Sequence, residues 1–282
     1  MAMARLQART CIPWVSDALI DFGDVRVELC VPPELYERES ADRHFILGKD
    51  RRMVEDELSV LGNRPVDRMV DVGVYKGGSV VLFHKLFEPQ KLVAIELQTT
   101  PLRPLDDYVA RYPDAILVER GVNQADFASV DRICEAQFGN QPLDLVVDDA
   151  SHFYSETRAT FRTLFPRLRE GGLYIIEDWS WAHWRGDYWQ AERGGDYFSA
   201  KEPLTNLLIE LILLCATSPE IASRVVVAPA IVYIERGPKR VRLGFELSKH
   251  YLARGEPAPR FANAAVGART LYDSQFITLR NR

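Results

Sequence analysis

The hydrophobic pattern of the chain changes near residue 68. From there, short apolar runs alternate with amphipathic stretches, which is typical of strand–helix–strand units around a parallel sheet. The apolar runs predict strands at Arg68–Gly73, Leu92–Glu96, Ala115–Glu119, Leu143–Val147 and Leu173–Ile176. The stretches between them predict helices at Gly78–Phe87, Pro104–Arg111, Phe127–Phe138 and Tyr154–Leu168. We therefore expect an α/β fold with a mostly parallel sheet.

The segments on either side of this core have weaker patterns. Before it, Val25–Val31 alternates like a short strand and Asp50–Leu61 has helical spacing, and we interpret the segment as a cap over the active site. After it, a helix is predicted near Leu204–Ala216, and Arg224–Val227 with Ala230–Ile234 predicts a terminal antiparallel pair. The predicted units are an N-terminal cap at 1–65, a catalytic domain at 66–240 and a C-terminal extension at 241–282.

Composition narrows the classes of function. The 282 residues, 47% hydrophobic and 27% charged, suffice to bury a full core. A net charge of -5 argues against a nucleic-acid partner, so we expect a small-molecule substrate. Four cysteines without CxxC spacing argue against a disulfide framework and a zinc site.

The apolar segments bear on location. No continuous apolar leader is visible, and Leu204–Ala216 is too short to span a bilayer. We therefore expect a cytoplasmic protein without a membrane partner. A homo-oligomer is compatible with the sequence, which does not fix the oligomeric state.

A glycine-containing loop follows the first core strand. The run from Asp71 to Ser79 opens a helix, and its glycines permit a sharp turn and a close approach to a ligand. Glu96 ends the second strand, where an acid accepts hydrogen bonds from the hydroxyls of a ribose. Together they predict a nucleoside-bearing cofactor, although the loop alone is equally compatible with an ordinary strand-to-helix turn. The candidate cofactor-binding residues of the loop are Asp71, Gly73, Tyr75, Gly77 and Ser79.

The spacing of the glycines distinguishes two cofactors. G-x-x-x-G-G differs from the G-x-G-x-x-G of dinucleotide binders, which argues against NAD. S-adenosylmethionine has no phosphate, and Asp71 suits its positive sulfonium and amino groups. Asn123 and Gln124 follow the third strand, where they either bind an adenine edge or satisfy their own loop. We therefore predict S-adenosylmethionine, with NAD as the alternative.

Carboxylates follow the fourth and fifth strands. Asp148 and Asp149 come after the fourth strand, and Glu177 and Asp178 end the fifth. Adjacent parallel strands lie about 5 Å apart, so these groups converge and repel unless a cation neutralises them. Asp149, Glu177 and Asp178 are therefore candidate ligands for Mg²⁺ or Mn²⁺. The alternative is that one aspartate caps a helix and the others are solvated.

A histidine lies at the mouth of the same site. His152 is three residues after Asp149, and histidine takes a proton readily from a hydroxyl that a metal has acidified. His152 and Asp149 are therefore candidate catalytic residues. A purely structural histidine is the alternative.

Taken in order, these motifs resemble the metal-dependent O-methyltransferases. The resemblance is to the catechol type and, more closely, to the actinomycete type that methylates macrolide sugars, whose relatives include cephalosporin-hydroxylase-like proteins. It spans roughly residues 68–178. It implies a Rossmann-like methyltransferase sheet with S-adenosylmethionine and Mg²⁺ as cofactors. The implied reaction is methylation of a hydroxyl on a small molecule, such as a natural product or its sugar.

The same resemblance implies a role for each motif. It implies that Glu96 binds the ribose and that Asn123 and Gln124 lie beside the adenine. His152 becomes the base, and Asp148 faces the amino acid part of the cofactor. The implied metal ligands are Asp149, Glu177 and Asp178.

Two questions stay open at this point. The aromatic stretch from Trp179 to Tyr197 forms either a pocket wall or an interface. A non-methylating enzyme, such as a hydroxylase, or a binding protein on the same scaffold is the alternative function. A hydroxylase would need redox iron, and the carboxylate-only set lacks the two histidines of a facial triad.

Overall fold

The N-terminal segment forms a small sheet of its own. The computed structural model describes residues 12–185 and 201–252, and its first sheet has the order β1-β2-β3-β4. The strands are β1 (Trp14–Ser16), β2 (Leu19–Asp21), β3 (Arg26–Leu29) and β4 (His44–Leu47). Strands β3 and β4 are parallel, and the other neighbours are antiparallel. The sequence pattern predicts only the third of these strands, so it did not predict a sheet in the cap.

Helix α1 (Arg51–Leu61) follows this sheet and carries an acid on its buried face. The Asp50 side chain caps it by accepting a hydrogen bond from the Met53 amide at 2.8 Å. Val54, Glu57 and Leu61 are buried, at the spacing of one helix face. A buried carboxylate requires a partner, so Glu57 indicates a cation nearby.

From Arg68 the chain alternates strands and helices, as predicted. The elements are β5 (Arg68–Val72), α2 (Gly78–Phe87), β6 (Lys91–Glu96), α3 (Arg103–Val109), β7 (Ile116–Arg120), α4 (Phe127–Phe138), β8 (Leu143–Asp148), α5 (Tyr154–Leu164), β9 (Leu168–Glu177), α6 (Thr205–Thr217), β10 (Ala222–Val227) and β11 (Ile231–Arg236). The predicted bounds of α2 and α4 are confirmed. Helix α5 ends earlier than predicted because Pro166, which has no amide hydrogen, lies in a short 3-10 turn.

The large sheet has seven strands in the order β10-β11-β9-β8-β5-β6-β7. The five strands from β9 to β7 are parallel, whereas β11 and β10 are antiparallel to their neighbours. The predicted mostly parallel sheet with a terminal antiparallel pair is therefore confirmed. The chain leaves β5 toward β6 on one side and returns to β8 on the other. Ligands of open α/β sheets bind at this kind of switch point.

The core lies on both faces of the large sheet. Along β5, Val70 and Val72 pack in one hydrophobic cluster, and Met69, directly before Val70, packs in the other. This alternation is expected of a strand that helices cover on both sides. None of the helices in residues 12–185 and 201–252 has both the length and the apolar character needed to cross a bilayer. The predicted C-terminal extension, 241–282, lies mostly outside the described residues.

The small sheet docks onto the large one through a backbone contact. Ile46 of β4 forms a bridge with Gly77, which precedes α2 and has a φ of 83°. A side chain at Gly78 would place its Cβ 2.3 Å from the Ile46 carbonyl oxygen. Only glycine therefore permits this docking without a shift of the backbone.

We predict that Gly78→Ala destabilises the protein, because the new methyl group collides with backbone that cannot rotate away. The expected loss is at least about 1–3 kcal/mol in the free energy of unfolding, measured by thermal denaturation. Gly48→Ala is the control, since its Cβ would meet only the two Leu35 methyl groups, at 3.2 and 3.9 Å. Equal melting temperatures for the two variants would contradict the docking contact.

Candidate active site

Two adjacent cavities lie at the carboxyl ends of the parallel strands. The small cavity, of about 490 Å³, is lined by Glu96, Asn123 and their neighbours. The large cavity, of about 760 Å³, is lined by His152, Asp178 and residues of both sheets. The two cavities share five lining residues, Gly73, Val74, Tyr75, Asp149 and Ala150, which form a common wall. The structure thus brings most of the predicted motifs to one place.

The shared wall depends on a close approach between the loops after β5 and β8. Gly73 has a φ of 100°, and a Cβ there would lie 2.2 Å from the Asp149 carbonyl oxygen. The Asp149 amide donates to the Val72 carbonyl at 2.8 Å, which fixes the approach from the other side. Gly73 is therefore required by both its conformation and its surroundings.

Glu96 holds the glycine-containing loop. Its Oε2 atom accepts hydrogen bonds from the amides of Val74 at 2.9 Å and Tyr75 at 3.0 Å. Its Oε1 atom accepts one from the Gln98 amide at 2.8 Å. Asn123 is exposed in the same small cavity. The predicted ribose and adenine residues therefore line one cavity, and Glu96 also orders its wall.

The loop residues Asp71, Gly77 and Ser79 differ in their positions relative to the cavities. Asp71 is fully buried and accepts a hydrogen bond from the Ser79 hydroxyl at 2.7 Å. Burial raises the pKa of Asp71 to about 7. This shift opposes the negative charge that Asp71 is predicted to present to the positive groups of the cofactor. Ser79 lines the large cavity, but Asp71 and Gly77 line neither described cavity. In this structure, Asp71 and Gly77 support the loop, and the cofactor contact predicted for them stays a prediction.

Asp148 and Gln124 belong to a buried network. The Gln124 amide group donates to Asp148 at 3.1 Å and to Thr160 at 2.8 Å, and its oxygen accepts from the Ser151 amide. The Tyr174 hydroxyl donates to Asp148 at 2.7 Å. Burial raises the pKa of Asp148 to about 7, against the lowering by these two donors. Gln124 lines the small cavity, whereas Asp148 faces Tyr174 and lines neither cavity, and its predicted cofactor contact stays a prediction.

Asp149, His152 and Asp178 form a cluster whose ligand atoms all lie within 4.8 Å of one another. Burial raises the pKa of Asp149 well above its usual range and that of Asp178 to about 7, and the nearby Glu177 charge adds to both shifts. His152 and Asp178 have positive φ angles, 57° and 54°, which are uncommon for residues other than glycine. The cluster therefore combines half-buried carboxylates of raised pKa with positive-φ backbone, two features that occur at metal and catalytic sites.

The His152 ring is neutral at pH 7, because burial lowers its pKa to about 4. Its Nδ1 atom lies 3.4 Å from the Glu177 carbonyl oxygen, and its Nε2 atom lies 3.9 Å from Asp149 Oδ1. The Trp181 ring packs against it at a centroid distance of 4.1 Å. A hydrogen on Nδ1 facing the carbonyl leaves the Nε2 lone pair available to a substrate.

Glu177 binds a cation that belongs to the chain itself. Its Oε2 atom accepts a hydrogen bond from the Lys49 ammonium group, which also donates to Glu57 Oε1 at 3.0 Å. All three side chains are almost fully buried. Burial lowers the pKa of Lys49, but the charges of Glu177, Glu57 and Asp149 raise it by more. The pKa of Lys49 therefore lies well above its usual range. Glu177 is a predicted metal ligand. In this structure it pairs with Lys49, and the cluster found among the described residues consists of Asp149, His152 and Asp178.

The sequence interpretation missed Lys49 and Glu57. One signal was present, since Glu57 falls on the apolar stripe of the helix that starts after Asp50. An acid at that position requires a buried cation, but the spacing does not say which one.

The aromatic segment contributes to the large cavity. Trp181 and Trp184 line it, and Trp179 donates its indole hydrogen to the Ala228 carbonyl at 2.9 Å. The remaining aromatic residues of the segment, Tyr188, Trp189 and Tyr197, lie outside the described residues. The described part of the segment therefore supports a pocket wall.

Comparison with known proteins defines the class of the fold. Residues 70–179 match the family described as "Methyltransferase domain". MycE Methyltransferase from the mycinamycin biosynthetic pathway, solved with Mg, SAH and mycinamycin VI, has a TM-score of 0.50 and 23% sequence identity. The match covers 66% of this chain and 49% of that one. Residues 70–179 are therefore similar to a methyltransferase domain, and the likeness to MycE shows the Rossmann-like fold that the sequence predicts.

Sequence relatives narrow the class further. Mycinamicin VI 2''-O-methyltransferase of Micromonospora griseorubida is 33% identical over 156 residues, or 54% of this chain and 33% of the relative. An 8-demethyl-8-(2-methoxy-alpha-L-rhamnosyl)-tetracenomycin-C 3'-O-methyltransferase of Streptomyces olivaceus is 29% identical over 187 residues, or 64% and 45%. The chain spans less than half the length of these relatives. The resemblance to sugar O-methyltransferases inferred from the motifs is confirmed.

Proposed function

We propose that this protein transfers a methyl group from S-adenosylmethionine to a hydroxyl of a small molecule, a natural product or its sugar, with the help of Mg²⁺ or Mn²⁺. The observation that carries the proposal is the wall shared by the two cavities, with Glu96 on one side and His152 and Asp178 on the other. Relatives named for sugar methylation support the acceptor class. The net charge of -5 supports a small molecule over a nucleic acid.

The small cavity binds the nucleoside part of the cofactor. Glu96 accepts hydrogen bonds from the ribose hydroxyls, and Asn123 contacts the adenine edge. The loop at Gly73 offers backbone without a side chain, so the rest of the cofactor approaches the wall shared with the large cavity. Alignment of the two reactants across this wall is the main contribution of the fold.

The carboxylates fit a hard divalent cation. Ligand atoms of Asp149 and Asp178 lie within 4.8 Å of each other, and burial together with the Glu177 charge raises the pKa of both carboxyl groups. The buried Glu177 Oε1 atom accepts no hydrogen bond from the described residues. These three side chains would hold the ion. A bound cation would supply Lewis acidity toward the acceptor hydroxyl.

The Nε2 atom of His152 takes the proton from the acceptor hydroxyl. The ring is neutral before the reaction, as a base must be, and it lines the large cavity. Asp149 Oδ1, at 3.9 Å from Nε2, stabilises the positive ring that results. Trp181 and Trp184 limit the access of water and pack against the acceptor.

We predict that Glu96→Ala lowers the affinity for S-adenosylmethionine by at least about tenfold, because it removes the ribose acceptor and the anchor of the loop. Isothermal titration calorimetry measures the dissociation constants. Glu170→Ala is the matched control, since exposed Glu170 lies near the start of β9, at the opposite edge of the sheet. Equal affinities for the wild type and Glu96→Ala would sink the ribose assignment.

We predict that His152→Gln and Asp149→Asn each reduce methyl transfer by about 100-fold or more while S-adenosylmethionine still binds. His152→Gln removes the base, and Asp149→Asn removes a cation ligand. Formation of S-adenosylhomocysteine is followed with an acceptor found by screening hydroxylated glycosides. Turnover at the wild-type rate in both variants would exclude these roles.

A further inference from the structure

A buried ammonium group lies against the carboxylate cluster, and the proposed reaction does not use it. The Lys49 side chain is 1% exposed and comes from the loop between β4 and α1. Its partners are Glu57, on α1, and Glu177, at the end of β9. A buried charge is costly unless it is paired, so the position of Lys49 is set by these two acids.

Glu177 connects this ion pair to the cluster. One of its carboxylate oxygens faces Lys49, and the other is buried with no hydrogen-bond partner among the described residues. Its charge acts on both Asp149 and Asp178, and so does the charge of Lys49, with the opposite sign. The ammonium group is therefore a counter-ion of the same carboxylates that would bind a divalent cation.

We propose that Lys49 is a positioning residue that competes with the divalent cation for Glu177 and thereby weakens cation binding at the Asp149–Asp178 cluster. This rests on the proposed function, because it takes these carboxylates as the cation site. Two positive charges a few Å apart repel each other, and both are attracted to Glu177. Loss of the ammonium group frees a carboxylate oxygen and removes that repulsion.

The proposal differs from a purely structural ion pair in a measurable way. A pair that only joins the N-terminal segment to β9 contributes to folding and leaves the cation affinity unchanged. Removal of a competing ammonium group changes the cation affinity, whether or not it also changes the stability of the fold. Cation affinity is therefore the readout that distinguishes the two.

The experiment compares variants that share one background. Lys49→Met alone leaves two buried acids without a counter-ion, which endangers folding. We therefore compare Glu57→Gln with Lys49→Met/Glu57→Gln, which differ only in the ammonium group. Lys85→Met/Glu57→Gln is the control, since Lys85 pairs with Asp24 and lines neither cavity. Free Mn²⁺ is measured by electron paramagnetic resonance on the full chain without S-adenosylmethionine, and circular dichroism checks folding.

The expected result is Mn²⁺ binding at least about tenfold tighter in Lys49→Met/Glu57→Gln than in Glu57→Gln, with the Lys85 control within about twofold. Equal or weaker binding overturns the proposal. S-adenosylmethionine is titrated into the wild type in parallel. If it binds while Mn²⁺ affinity ignores Lys49, only this inference fails. If neither ligand binds any form, the proposed function fails and this inference fails with it.

Discussion

The approach of the Gly73 backbone to the Asp149 carbonyl joins the two halves of the site. A Cβ at Gly73 would lie 2.2 Å from that oxygen, so no other residue keeps the loops after β5 and β8 in contact. The contact occurs where the strand order reverses, which is where an open α/β sheet binds ligands. The cavity proposed for the nucleoside and the carboxylate cluster thereby become neighbours across one shared wall.

Charge balance is the second constraint on the site. Asp71, Asp148, Asp149 and Asp178 all have raised pKa values because the fold buries them. Lys49 offsets this burial for Asp71, Asp149 and Asp178, and it comes from the N-terminal segment. The N-terminal segment is thus electrostatically part of the site as well as packed against the domain. A divalent cation and Lys49 act on the same excess of negative charge.

The sequence predicts the parts of the site that depend on strand ends. Asp149 and Asp178 could be placed together because apolar runs define parallel strands, and parallel strands end at one edge. Whether a side chain faces the cavity or the core was not predictable, and Asp71 and Asp148 face the core. Lys49 could not be placed either, since it meets Glu177 across 128 positions of sequence from a segment without a clear period. Contacts of that kind depend on tertiary packing, which local patterns do not encode.

We propose that the two cavities form one site for a nucleoside and a divalent cation. Crystals grown with S-adenosylhomocysteine and Mn²⁺, with anomalous diffraction collected for manganese, test it directly. We expect an adenosine against Glu96 and a manganese peak at ligand distance from Asp149 and Asp178. A nucleoside bound elsewhere, or manganese absent from these carboxylates in crystals that hold the nucleoside, would contradict it.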